Sequence, residues 1–254
     1  MNLKQKLQSG QKIVGTMLRT VRNPAICHLA KNSKLDFIMC DCEHSVYTME
    51  TLHDMFVLGN ALGLGCYLRV PNGTKEQISL ALDCGATGVM VPMVETVEQA
   101  QMVVQSAKYQ PIGNRGFTAV GAHTAFKGGA AAGIMQEAND TVIVIAQAET
   151  KLAVDNADKI AAIEGVDALL IGPNDLSISL GIPGDFMNPI QLEAIATVAA
   201  ACKKHGKIFG IHAGAPLLEK FWDDIGLVMS MTDTDFLAGG MTDVRKMFDK
   251  FCAQ

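Results

Sequence analysis

Eight short apolar runs, each followed by a segment with helical patterning, constrain this chain more than any other feature of it. They lie at Lys12–Leu18, Leu35–Asp41, Gly65–Val70, Thr87–Pro92, Val142–Ala148, Asp167–Gly172, Lys207–His212 and Gly226–Met231. Each is too short for a helix, rich in β-branched or other apolar residues, and bounded by turn-forming residues, which reads as a buried strand. Between them, Thr74-Lys-Glu-Gln77 and Thr96-Val-Glu-Gln99 have the capping-box form, a hydroxyl at the cap and Gln three residues on. Asn188-Pro189 leads into the amphipathic stretch Ile190–His205, and Gly85–Pro92 is weakly echoed in Gly165–Pro173. No compositional break marks a linker. The 254 residues therefore read as α/β, one (β/α)8 TIM-barrel domain spanning 1–254. An open doubly wound sheet is the rival, but no Gly-x-Gly-x-x-Gly turn follows the first strand.

Composition narrows the classes of function. A hydrophobic content of 49% excludes a disordered chain, and a net charge of −5 argues against nucleic acid or an anionic membrane as partner. No apolar run reaches membrane-spanning length, and Met1-Asn-Leu-Lys-Gln-Lys6 lacks the apolar core of a signal peptide. With seven cysteines, no Cys-x-x-Cys, and Cys40 and Cys42 too close for a routine bridge, reduced thiols in a cytoplasmic protein are expected. The longest irregular stretch runs from Gly113 to about Gly133, a length that in a compact domain signals function or motion.

In a barrel, chemistry gathers at the carboxyl ends of the strands. Those ends carry Asp41-Cys-Glu-His44, Arg69, Gln147-Ala-Glu149, Gly172-Pro-Asn-Asp175 and His212, while the strand starts carry nothing comparable. Each residue alone has an ordinary structural reading. Asp175 would be a helix N-cap, Glu149 a carboxylate opening a helix, Arg69 a partner to a nearby acid, Asp83 a helix-end residue, and His44 a solvated loop residue. Their concentration on one rim favours a site.

Glu149 and Asp175 follow neighbouring strands. Two carboxylates without His or Cys partners suit a hard divalent cation that keeps several waters, Mg2+ or Mn2+, whereas zinc would want nitrogen or sulfur. An incomplete coordination sphere suits a bidentate 2-keto acid, whose enolate such an ion stabilises. Arg69 would face the enolate oxygen. His44 would act as general base with Asp83 or Asp41 orienting its ring, and the N–H groups near Asn174–Asp175 would hold the substrate carboxylate. The alternative, a Schiff-base lysine, finds no candidate: Lys207 opens its strand and Lys151 lies beyond Glu149.

At these residues the chain resembles the HpcH/HpaI family of metal-dependent (class II) pyruvate aldolases. The matching pieces are Asp41-Cys-Glu-His44, Leu68-Arg-Val-Pro71, Asp83-Cys-Gly-Ala86 running to Val91-Pro92, Lys108 to Gly116, Gln147-Ala-Glu149 and Gly172-Pro-Asn-Asp-Leu-Ser177. The resemblance implies a barrel whose last helix is exchanged between subunits, commonly in hexamers. It also implies metal ligands Glu149 and Asp175, a proton-moving pair His44 and Asp83, Arg69 at the enolate, and Gln147 with Gly172, Pro173 and Asn174 near the keto acid.

Three places depart from the family pattern. The first strand leads into Gly15-Thr-Met-Leu-Arg-Thr-Val-Arg22, the loop after Arg115-Gly116 reads Phe117-Thr-Ala-Val-Gly-Ala-His-Thr-Ala-Phe126, and His212 follows the seventh strand. Arg19, His123 and His212 are expected at the second substrate, suggesting a partner rich in carboxylates; Arg19 and Arg22 pointing into solvent or a subunit interface is the competing reading. Two functions follow. One is a lyase cleaving a 4-hydroxy-2-keto acid to pyruvate and an aldehyde. The other resembles the family's offshoot that condenses oxaloacetate with acetyl-CoA to citrate for siderophore assembly. Either is expected of a homo-oligomer, hexamer or dimer.

Overall fold

A computed structural model describes residues 2–253; the extreme ends of the expected domain, Met1 and Gln254, lie outside them. The strands are β1 (Ile13–Leu18), β2 (Phe37–Asp41), β3 (Gly65–Arg69), β4 (Gly88–Val91), β5 (Ile143–Ala148), β6 (Ala168–Ile171), β7 (Ile208–His212) and β8 (Leu227–Thr232). All pair in parallel with their sequence neighbours, and β8 closes on β1, completing an eight-stranded barrel. The helices are α1 (Leu3–Gln8), α2 (Ile26–Asn32), α3 (Met49–Ala61), α4 (Lys75–Asp83), α5 (Val97–Ala107) and α6 (Ala131–Thr141). They continue with α7 (Lys151–Asp155), α8 (Ala157–Ala161), α9 (Pro173–Ser179), α10 (Pro189–Lys204), α11 (Ala215–Lys220) and α12 (Asp233–Cys252).

The strands are largely apolar because both faces are covered over most of their length. On β2, Phe37 and Met39 join Met17, Tyr67, Met90, Ile145, Leu170 and Met229 in the barrel interior, while Ile38 and Cys40 pack outward with the helices. The two capping-box sequences behave differently. Thr96 and Gln99 make the reciprocal pair. Thr74 makes no side-chain cap; the Asn72 side chain instead accepts the Thr74 N–H at 3.2 Å. A local turn has taken the place of the cap.

All seven cysteines are free thiols, and no helix among the described residues is long and apolar enough to cross a membrane. The last helix stands apart from the others. Asp233 is its one buried residue among those described, while Phe236, Met241, Val244, Met247, Phe248 and Phe251 are exposed.

Candidate active site

Side chains alternate between barrel and helix layer along each strand, so a residue two beyond an interior one also faces inward. Two beyond Met17 stands Arg19, beyond Met39 Asp41, beyond Tyr67 Arg69, beyond Ile145 Gln147, and beyond Leu170 Gly172. His212 has the same relation to Gly210. This parity builds the carboxyl-end layer of the barrel. It forms the floor of a cavity of about 710 Å3 lined by Arg19, His44, Arg69, Gln147, Gly172, Pro173, Asn174, Asp175 and His212.

Asp41 organises one side of the floor. It is fully buried and paired in register with Arg69 on β3. Arg69 donates from Nε to Oδ1 at 2.8 Å and from Nη2 to Oδ2 at 2.7 Å, and Arg19 donates from Nε to the same Oδ2 at 2.9 Å. Burial alone would raise the Asp41 pKa. The hydrogen bonds and charge of Arg69, the His44 backbone N–H and the charge of Arg19 hold it below the usual carboxylate range. Arg69 Nη1 also lies 2.9 Å from Glu43 Oε2. Burial pushes the Glu43 carboxyl up, and the charge of Arg69 works against that shift.

The other side is built from β5 and β6. Glu149 is 2% exposed. Its Oε1 accepts the N–H of Met93, a residue held at φ 54, and its Oε2 accepts from the Gln147 amide. Burial, with the charges of Glu43 and Asp175, pushes its pKa up to about 7 against the Met93 hydrogen bond. Gly172 caps α9. A methyl group there would lie 2.7 Å from both Gln147 Nε2 and Glu149 Oε2, so only glycine lets the start of α9 approach this carboxylate so closely. Asp175 is not the cap. It is the third residue of α9, exposed to the cavity.

These groups fit a hard cation. A buried, crowded carboxylate sits behind a cradle that a side chain would fill, a second carboxylate lies beside it, and Gln147 Oε1 is buried with no partner. No group of three or more His, Cys, Asp or Glu with metal-binding geometry occurs among the described residues. An ion would therefore rest on Glu149 and Asp175 and complete its shell from solvent or substrate.

Several expectations require correction. Asp83 does not meet His44 within this chain. α4 runs antiparallel to the strands and delivers its last residue to the opposite mouth, where Asp83 pairs with Arg115 at 2.7 Å. Nor does Asp41 orient the His44 ring. It accepts the His44 backbone N–H at 3.3 Å, and the carboxylate nearest the ring is Glu43, at 3.7 Å. His123 also lies away from the substrate cavity. The loop after α5 carries it to a second cavity, of about 1010 Å3, lined by Gly65, Thr87 and Ile143 at the starts of their strands. Arg22 donates to the Val46 and Thr20 carbonyls and lies over the Tyr47 ring, leaving Arg19 as the cationic departure that faces the cavity.

His212 does line the cavity. Burial and the charges of Arg69 and Arg19 push its pKa down, partly offset by the Met231 backbone. No lysine lines this cavity among the described residues. One residue of the site carries no signal in the strand pattern: Asp233, 2% exposed, accepts the backbone N–H groups of Arg19, Thr20 and Val21 at 2.9, 2.8 and 2.6 Å. The capping pattern Thr232–Asp235 was the available signal for a helix start there.

Comparison with known proteins agrees with the fold. A crystal structure of an HpcH/HpaI aldolase from Desulfitobacterium hafniense DCB-2 superposes with a TM-score of 0.92 at 33% identity, covering 98% of this chain and 96% of that one. The citrate synthase SbnG superposes with a TM-score of 0.84 at 25% identity, covering 98% and 99%. The 2-keto-3-deoxy-L-rhamnonate aldolase of Escherichia coli K12 is 34% identical over 213 residues, 84% of this chain and 79% of that protein. The family model described as HpcH/HpaI aldolase/citrate lyase matches residues 17–223. The chain belongs to the HpcH/HpaI aldolase/citrate lyase family and is, with it, a carbon–carbon lyase.

Proposed function

We propose that the chain cleaves a 4-hydroxy-2-keto acid to pyruvate and an aldehyde, with the aid of Mg2+ or Mn2+ held by Glu149 and Asp175. The observation that carries this reading is Gly172, where a methyl group would lie 2.7 Å from both the Gln147 amide and the buried Glu149 carboxylate. When bound, the cation supplies Lewis acidity at the keto oxygen. Arg69, locked by Asp41, presents a fixed positive charge to the oxygen that becomes anionic, so little reorganisation is needed as charge develops. Gln147 and the first turn of α9 orient the keto acid. His44, exposed at the cavity wall, takes the proton of the 4-hydroxyl. The C3–C4 bond then breaks, its electron pair passes into the pyruvate enolate, the aldehyde leaves, and C3 takes up a proton. A part for Asp83 in this proton transfer would require a second copy of the chain, since within one chain it lies at the other mouth.

Such a copy also answers the exposed apolar face of α12. The helix is proposed to pack on a neighbouring subunit of a homo-oligomer, a dimer or hexamer, in the cytoplasm. A second reading, condensation of oxaloacetate with acetyl-CoA for siderophore biosynthesis, draws on the whole-chain similarity to SbnG and on Arg19 and His212 in the cavity. Purified protein with Mg2+ or Mn2+ is to be assayed with pyruvate plus small aldehydes beside oxaloacetate plus acetyl-CoA. Aldol product from the first pair supports the lyase; thiol release requiring both members of the second pair, without aldol product, would replace it by the synthase.

A further inference from the structure

The second cavity, about 1010 Å3 at the strand-start end of the barrel, takes no part in the proposed chemistry. One side of it is formed by Gly65, Thr87 and Ile143, at the starts of β3, β4 and β5, and another by the face of α6 that carries Gly133, Ile134 and Glu137. α1 closes the gap, tied to α6 by Lys4 Nζ, which donates to the Asn139 carbonyl at 3.2 Å.

Polar groups without partners collect in this wall. Tyr67 lines the cavity and is fully buried, yet its hydroxyl has no hydrogen-bond partner among the described residues. Folded proteins rarely leave such a group alone. Asn60 donates from Nδ2 to the Gly85 carbonyl at 2.8 Å, so its unpaired, buried Oδ1 is an acceptor. His123 donates from Nε2 to the Thr118 carbonyl at 3.1 Å, and in the neutral ring this leaves Nδ1 as a second unpaired acceptor.

The charges favour an anion. Lys6, Lys31, Arg115 and Lys127 line the cavity against Asp36 and Glu137, on a chain whose net charge is −5. Three of the cations are engaged: Lys6 with Asp36 at 3.0 Å, Arg115 with Asp83 at 2.7 Å, and Lys31 with the Gly63 carbonyl at 3.0 Å. Lys127 has no such partner among the described residues. The N–H groups of Gly128, Gly129 and Ala130, which lead from it into α6, also make no hydrogen bond there. An ammonium beside successive free N–H groups at a helix start matches the several oxygens of a phosphate. The acceptors on Asn60 and His123 require donors that a bare phosphate ion lacks, and hydroxyl groups supply them.

We infer that this cavity binds a sugar phosphate, its phosphate at Lys127 and the start of α6 and its hydroxyl groups on Tyr67, Asn60 and His123. The test is calorimetric titration of the full chain, without added metal, with glucose 6-phosphate, ribose 5-phosphate, glucose and gluconate. At least one of the two phosphates is expected to bind tenfold or more tightly than glucose and gluconate. Lys127→Glu should weaken that binding at least tenfold. Tyr67→Phe should weaken it at least threefold with a urea midpoint no lower than that of the wild type, since only an unpaired hydroxyl is removed. Arg19→Gln, in the other cavity, should leave the affinity unchanged. No binding of either phosphate, equal affinity for gluconate or glucose, or an affinity that falls in Arg19→Gln and holds in Lys127→Glu would overturn the inference. Every readout is binding or unfolding, so the outcome is independent of the proposed lyase activity.

Discussion

Gly172 and Asp41 carry the sharpest demands in the site, for opposite reasons. Gly172 matters through the side chain it lacks. Gly172→Ala sets a methyl group 2.7 Å from Gln147 and Glu149, which must displace the proposed ligand. The expected result is at least a hundredfold loss of turnover in a protein whose far-ultraviolet circular dichroism is unchanged. Asp41 matters through what it neutralises. Asp41→Asn leaves the buried Arg69 with Glu43 as its remaining carboxylate and removes the charged Arg19 anchor, and breaking a buried pair in this way costs about 3–5 kcal/mol. Urea unfolding of the variant should show that loss.

At the scale of elements, two similar sequences make a controlled comparison. Thr96 caps α5 through a hydrogen bond to the Gln99 N–H at 3.2 Å, whereas Thr74 makes no such bond at α4. Thr96→Ala should therefore cost about 1 kcal/mol and Thr74→Ala clearly less, both read from the midpoint of urea unfolding. The last helix makes a different demand. Its apolar residues are exposed, on a helix whose main packing within its own chain is against β1 and β8. Phe248→Glu with Phe251→Glu should lower the mass measured by light scattering, by separating subunits. An unchanged oligomer, or a wild type that is already a monomer, would rule out the proposed packing of α12.

The whole molecule carries a pH dependence set by its thiols. Burial pushes Cys27 and Cys42 up to about 11, Cys202 up to about 12, and Cys66 higher still. Thiols of the unfolded chain ionise near 8.5. Above that pH the unfolded state holds fewer protons than the folded one, so stability falls as pH rises. Lys108 acts in the opposite sense: burial lowers it to about 8, which adds stability with rising pH up to the ordinary lysine value. Four thiols outweigh it. Between pH 9 and 11, urea unfolding under reducing conditions should show a loss of at least about 1.4 kcal/mol per pH unit, the weight of one net proton.

Much of this organisation was legible in the residues. The barrel was legible because most strands, β2 to β6 throughout, are buried on both faces, so their apolar runs have sharp ends, and those ends deliver Arg69, Gln147 and Gly172 to one mouth. The two-residue alternation from Met17 also separates Arg19, which faces the cavity, from Arg22, which does not. His123 and Asp83 were not legible in the same way. Their positions follow from the path of a long loop and from the direction of a helix, and no strand register reports either. Asp233 was missed because its role is to accept three backbone N–H groups from the other end of the chain, a contact without a local sequence signature. The His44–Asp83 pair was expected from the residues and from the family resemblance, and a single chain cannot form it.

Enolate chemistry supported by a divalent cation on Glu149 and Asp175 can be read from proton exchange at C3 of pyruvate in deuterium oxide, followed by NMR. Exchange is predicted to require Mg2+ or Mn2+, to stop on chelation and resume when metal is restored, and to be lost in Glu149→Gln. Exchange that persists in the chelated protein, or covalent trapping of the protein by borohydride in the presence of pyruvate, would contradict it.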